Sequence, residues 1–274
     1  MGEAKRKQYN RQLFLSEHPR CIYCGGRATT TDHCPPRCLF EARHWPEAYE
    51  FPACDTCNQE GRRDEQVMAL LARIRPNDTS ERAHEEWKKL LKGVANNQPQ
   101  YLVEWQDVSP SRRKRELRKA FGQQGDRMRW DGAGVVRLGP LTKAVIRRFC
   151  IKLGRALYYL HIGEIFEGEI STTHIDPLIK HRDMEQLKAV LELAPEFVLP
   201  KRNSTTLESQ FVYRLNYSKE LGALYAVVQF GPQMVFQIMA LRSDTARMVN
   251  ENLSARGVFP PPEAVSHCAL EGVL

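Results

Sequence analysis

Six of the eight cysteines in this 274-residue chain fall between residues 21 and 57. Four of them form two Cys-x-x-Cys pairs, Cys21 with Cys24 and Cys54 with Cys57. Each pair sets two thiolates on one ion, and four thiolates around a tetrahedral centre make a structural zinc site. Gly25-Gly26 after the first pair lets the backbone turn tightly beneath the sulfurs. The opening residues, Met1 to Arg11, are charged and lack an apolar stretch with a small-residue cleavage site. That predicts a cytoplasmic, reducing setting, where paired cysteines bind metal rather than form disulfides. Cys34 and Cys38 stand singly around Pro35-Pro36 and read as small buried side chains.

The interval between the two pairs is longer than a zinc ribbon requires, and its contents are reactive. Ala28-Thr29-Thr30-Thr31-Asp32-His33 reads as a β-branched strand ending in an acid and an imidazole, stopped by Pro35-Pro36. Neighbouring strand residues face opposite ways, so Asp32 and His33 serve different sides. Asn58 follows the last cysteine directly. Cys-x-x-Cys, then Asp-His-x-Pro-Pro, then Cys-x-x-Cys-Asn resembles the zinc-knuckle branch of the HNH (ββα-metal) nucleases, over about residues 13–75. The resemblance implies a catalytic divalent ion on Asp32 and Asn58, with His33 as general base. It also implies a structural zinc on Cys21, Cys24, Cys54 and Cys57. The family's middle asparagine is missing, since no Asn lies between Leu39 and Ala53. Glu50 or a backbone carbonyl is then left to orient His33.

The chemistry so implied is hydrolysis of a phosphodiester. An imidazole with a pKa near ~6.5 takes a proton from water at neutral pH. A hard ion held by few oxygen ligands stabilises charge on the phosphoryl group, and Mg²⁺ or Mn²⁺ suits such a site. DNA is the favoured substrate and RNA the less favoured. Two nearby residues read as bystanders: His44, a loop histidine beside Trp45, and Glu65, two helical turns beyond Asn58 and taken as solvent-facing. Two other readings stay open, a zinc module that binds nucleic acid without cutting it and a zinc domain for protein interaction.

The surrounding sequence must position these groups and meet a polyanion. Residues 101–150 hold twelve Lys/Arg against five acids, an excess equal to the net +7 of the whole chain. Within them Arg112, Arg113, Lys114 and Arg115 are the candidate phosphate contacts, because neutralising phosphates releases counterions. Lys5-Arg6-Lys7 and Arg11 make a second basic arm. The chain has no run of eighteen apolar residues, so no membrane span is expected. The spacing predicts helices over 62–76, 80–93, 110–121, 141–165 and 177–193, and a turn at Asn96–Pro99. It predicts strands over 101–106, 211–217, 223–230 and 234–241, the last three as an antiparallel meander, and a turn and strand over 126–139. The expected class is α+β in three parts: a zinc-fastened ββα module over 1–75, a helical and basic connection over 76–139, and an α+β domain over 140–274. The role of that last part is unassigned beyond a possible protein partner or self-association.

Overall fold

A computed structural model of the chain describes residues 3–74, 81–121, 138–175, 184–231 and 234–248. It is mixed helix and sheet, with helices and antiparallel strands largely in separate stretches of sequence. The chain opens with α1 (Glu3–Glu17). It then enters a tight hairpin in which Cys21 N–H donates to the Gly26 carbonyl and Gly25 takes a φ of 74°. Strand β1 (Thr30–His33) pairs antiparallel with β2 (Glu50–Ala53), Asp32 opposite Phe51 and His33 opposite Glu50. Helix α2 (Asp55–Ala72) follows at once, its first turn capped by the Cys54 sulfur, which accepts from Cys57 N–H. Two strands and a helix in this order form a ββα arrangement of the kind the resemblance implied.

Helices α3 (Glu81–Asn97), α4 (Pro99–Gln106) and α5 (Pro110–Phe121) come next. The strand expected over 101–106 is a helix. Tyr101 and Trp105 are buried one turn apart on one face, and Pro99 opens the helix at its first position. A short apolar run does not by itself separate strand from helix. The carboxylate of Glu104 shows what α4 is for: it accepts from Leu141 N–H and Thr142 N–H, both at 2.9 Å. It thereby caps the N-terminus of α6 (Pro140–Ile162), and a negative charge there also suits the helix dipole. The turn and strand expected over 126–139 lie almost wholly outside the described residues.

Helix α6 is the spine of the molecule. One side, including Val145, Phe149, Leu153 and Leu157, is buried against an antiparallel sheet of five strands. That sheet consists of β3 (Gly168–Ile175), β4 (Glu196–Val198), β7 (Phe211–Ser218), β8 (Ala223–Phe230) and β9 (Met234–Arg242), in the order β3-β9-β8-β7-β4. Helix α7 (Met184–Glu192) lies between β3 and β4 in sequence, and the two-residue strands β5 (Lys201–Arg202) and β6 (Thr205–Thr206) form a small ribbon after β4. The meander β7-β8-β9 stands as expected; β3, β4 and helix α1 were not anticipated. Gly154 lets α6 approach the sheet closely, since a Cβ there would meet Ile238 Cγ2 at 2.8 Å. Alternation on β7 buries Phe211, Tyr213 and Leu215. The ββα module packs on this same core: Tyr49 and Tyr213 hydroxyls lie 2.8 Å apart, and the Phe40 ring meets Phe211 edge-on. One continuous apolar cluster therefore runs from Cys21 to Ala240. Among the described residues no helix is long and apolar enough to cross a membrane.

Candidate functional site

The two Cys-x-x-Cys pairs converge. One ligand atom from each of Cys21, Cys24, Cys54 and Cys57 lies within 4.8 Å of the others. The first pair sits on the Gly25 hairpin and the second on the junction of β2 and α2, so one ion would tie both ends of the ββα module together. The Cys21 pKa is lowered to about 4, chiefly by the hydrogen bond it accepts from Cys57, and the same bond pushes the Cys57 thiol up. Four soft donors at this spacing fit a metal such as zinc, which needs thiolates and would displace the remaining protons. Cys34 is buried as expected; Cys38 is half-buried, its sulfur 3.7 Å from the Glu65 carbonyl.

Asp32 and His33 do face opposite ways. On the outer face, His33 Nε2 lies 2.5 Å from Glu50 Oε1, its direct cross-strand partner. Arg37 reaches the same imidazole nitrogen at 2.5 Å and Glu50 at 3.3 Å. Glu50 is thus the acid paired with His33 across β1 and β2. Its carboxyl is held below the usual range, first by the hydrogen bond from His33 and then by the positive charge of Arg37. Nε2 can donate to Glu50 or accept from Arg37 but not both; with Nε2–H donating to Glu50, the neutral ring keeps its lone pair on Nδ1. The Trp45 ring stands edge-on to His33 at 5.3 Å. Two guanidinium groups lie over that ring, Arg37 at 3.6 Å and Arg202 at 4.0 Å. Arg202 comes from β5, and it is fixed there by its hydrogen bond to the Trp45 carbonyl and by Glu47 N–H donating to the Lys201 carbonyl. Sequence spacing had no means of bringing residue 202 beside residue 33.

The inner face is a different environment. Asp32 is only 5% exposed, and its Oδ2 accepts from the Tyr23 hydroxyl at 2.7 Å and from the Lys152 ammonium at 2.8 Å. Lys152 also donates to Glu65 Oε1 at 2.7 Å. Glu65 is therefore an interior partner and not a solvent-facing acid; burial raises its pKa against the opposing pull of Lys152. Burial alone would lower the Lys152 pKa, but the carboxylates of Asp32 and Glu65 outweigh it and raise the value. Asn58 lies on the first turn of α2 with its amide nitrogen turned into the β1 seam, donating to Thr30 Oγ1 at 3.3 Å and the Thr31 carbonyl at 3.2 Å. Asp32 and Asn58 are thus held by different partners. A divalent ion needs oxygen ligands free at about 2.0–2.1 Å for Mg²⁺, and an ammonium group already occupies the Asp32 carboxylate. In this arrangement the pair does not fit the ion that the resemblance implied.

Of the basic candidates, Arg112, Lys114 and Arg115 are exposed on α5, while the Arg113 side chain lies outside the described set. His44 is an exposed loop residue, as expected. Lys152 is the residue of the inner face that the cysteine and Asp-His spacing does not point to. Its signal was present: Arg148, Lys152 and Arg155 recur at i, i+4 and i+7 on a helix whose other face is apolar. No protein-family model matches the chain, no curated protein is significantly similar to it, and no solved structure matches its fold.

Proposed function

We propose that this chain is a nuclease that hydrolyses phosphodiester bonds of DNA, on a ββα module fastened by a four-cysteine zinc centre, with His33 as general base. The observation that carries the reading is the His33–Glu50 pair, an imidazole held by a carboxylate across β1 and β2 on the outer face of the motif. Glu50 favours the tautomer whose lone pair is available, and that nitrogen takes the proton of an attacking water. The charge that develops on the phosphoryl oxygens falls beside Arg37 and Arg202, whose planar donor forks suit phosphate. Exposed basic side chains on α5 add sequence-independent attraction to the polyanion. RNA is the less favoured substrate.

A second reading, a zinc module that binds nucleic acid without cutting it, is favoured by one observation, the Lys152 ammonium on Asp32. The test is incubation of zinc-loaded protein with supercoiled plasmid and with structured RNA, in Mg²⁺, in Mn²⁺, and with neither after washing. Conversion of plasmid to nicked or linear form by wild type, lost in His33→Ala, supports the nuclease. Retention of plasmid in a gel shift without strand scission supports the binding module. Neither binding nor scission rejects both.

A further inference from the structure

The inner face of β1 carries a charge arrangement that the nuclease reading does not use. Lys152 Nζ bridges two carboxylates on two different elements, Asp32 of β1 at 2.8 Å and Glu65 of α2 at 2.7 Å. The resemblance implies a divalent ion between the strand acid and the helix, and here a cation that is covalently part of the chain bridges them. We infer that Lys152 is the resident cation of this motif, so that Asp32 takes no divalent ion in the native protein.

Three features of the structure fix Lys152 in that role. First, Asp32 Oδ2 is already doubly engaged, by Lys152 and by the Tyr23 hydroxyl, and the group is nearly sealed from water. An ion entering there must shed most of its hydration and also sit against a positive ammonium group, which Mg²⁺ in particular resists. Second, the helix cannot carry Lys152 away. Val145, Phe149, Leu153 and Leu157 of α6 are buried in the central core, and Gly154 sits directly on Ile238 and Ile170. Third, the neighbouring basic residues of the same stripe are also committed to the ββα module. Arg148 makes two bonds to Asp64, at 2.7 and 2.8 Å, and Arg155 donates to the Tyr23 carbonyl. The stripe at 148, 152 and 155 therefore lies along the module as a row of fixed cations, with Lys152 between buried Asp32 and part-buried Glu65.

The inference is independent of whether the chain cuts nucleic acid, and its test uses no cleavage assay. Zinc-loaded protein comprising all 274 residues is titrated with Mn²⁺, the free ion being counted by electron paramagnetic resonance. Wild type and Asp32→Asn should give the same curve, with no site that depends on Asp32. Lys152→Ala, which leaves room for an ion between Asp32 and Glu65, should gain one Mn²⁺ site that the added substitution Asp32→Asn removes again. A wild-type Mn²⁺ site abolished by Asp32→Asn overturns the inference, as does a folded Lys152→Ala protein that gains no site. Should Lys152→Ala fail to fold, acetylation of wild type decides the matter, read by mass spectrometry lysine by lysine. Lys152 should stay among the least modified lysines with or without 10-fold excess Mn²⁺, whereas an ion that displaces the ammonium would expose Lys152 to the reagent and refute its residency.

Discussion

At the scale of single residues, the outer and inner faces of one four-residue strand divide the work. His33 and Asp32 are adjacent in sequence, yet one meets Glu50, Arg37 and Trp45 and the other meets Tyr23 and Lys152. In the proposed reaction Glu50 holds the His33 ring and its tautomer, so Glu50→Gln should reduce cleavage roughly tenfold or more while leaving zinc content unchanged. That loss is smaller than the ~10²-fold or greater loss expected for removing the base itself. A Glu50→Gln protein that cuts at the wild-type rate would remove Glu50 from the mechanism. The same contact has a pH signature. Because the hydrogen bond from His33 depresses the Glu50 pKa, its contribution to stability is present above the unfolded carboxyl value of about 4.3 and is lost as pH falls through the lower folded value. In urea unfolding, the advantage of wild type over Glu50→Gln at pH 5 should therefore shrink as pH is lowered below about 4. A gap that has already closed by pH 5 would contradict the assignment.

At the scale of elements, the basic residues fall into two groups that composition alone does not separate. Arg148, Lys152 and Arg155 of α6 are bound to the ββα module, whereas Arg112, Lys114 and Arg115 of α5 are exposed. Replacing Arg112, Arg113, Lys114 and Arg115 together by Ala should weaken DNA binding and flatten its salt dependence, each lost phosphate contact lowering the slope by about 0.9 on B-DNA. A slope unchanged from wild type would make α5 an ordinary solvated face. The same contrast explains what was legible in the sequence. The two cysteine pairs, the dyad on a strand and the β7-β8-β9 meander follow from spacing and period alone, because each is a local pattern. Lys152 and Arg202 were not legible as partners of residues 32 and 33, since only the packing of α6 and β5 on the module brings them there. Helix α4 was misread as a strand because Tyr101 and Trp105 bury one helical turn apart within a run too short to show its period. Helix α1 carries a largely exposed, polar surface and so offers no amphipathic pattern to read.

At the scale of the whole molecule, the central fact is that the ββα module and the five-stranded sheet share one apolar core through α6. Zinc at the four cysteines is then expected to support more than its own hairpin. About one zinc per chain should be found by elemental analysis, and a strong chelator should lower the thermal midpoint of the entire protein in a single transition, since metal binding and folding are linked. Zinc-free protein that is equally stable would separate the cysteines from the fold. The shared core also explains why Arg202, more than 160 residues from His33, can stand over the Trp45 ring beside it. The proposed hydrolysis of phosphodiesters at the outer face of β1 through His33 is reached directly by one measurement. Supercoiled plasmid is incubated at neutral pH with equal amounts of wild-type and His33→Ala protein, both shown to carry zinc and to be folded, and nicked and linear products are followed in time. Cleavage by wild type is expected, with at least about 10²-fold slower cleavage by His33→Ala and plasmid binding retained in both. Cleavage at equal rates by the two proteins, or an intact plasmid with wild type under every ion condition, would contradict it.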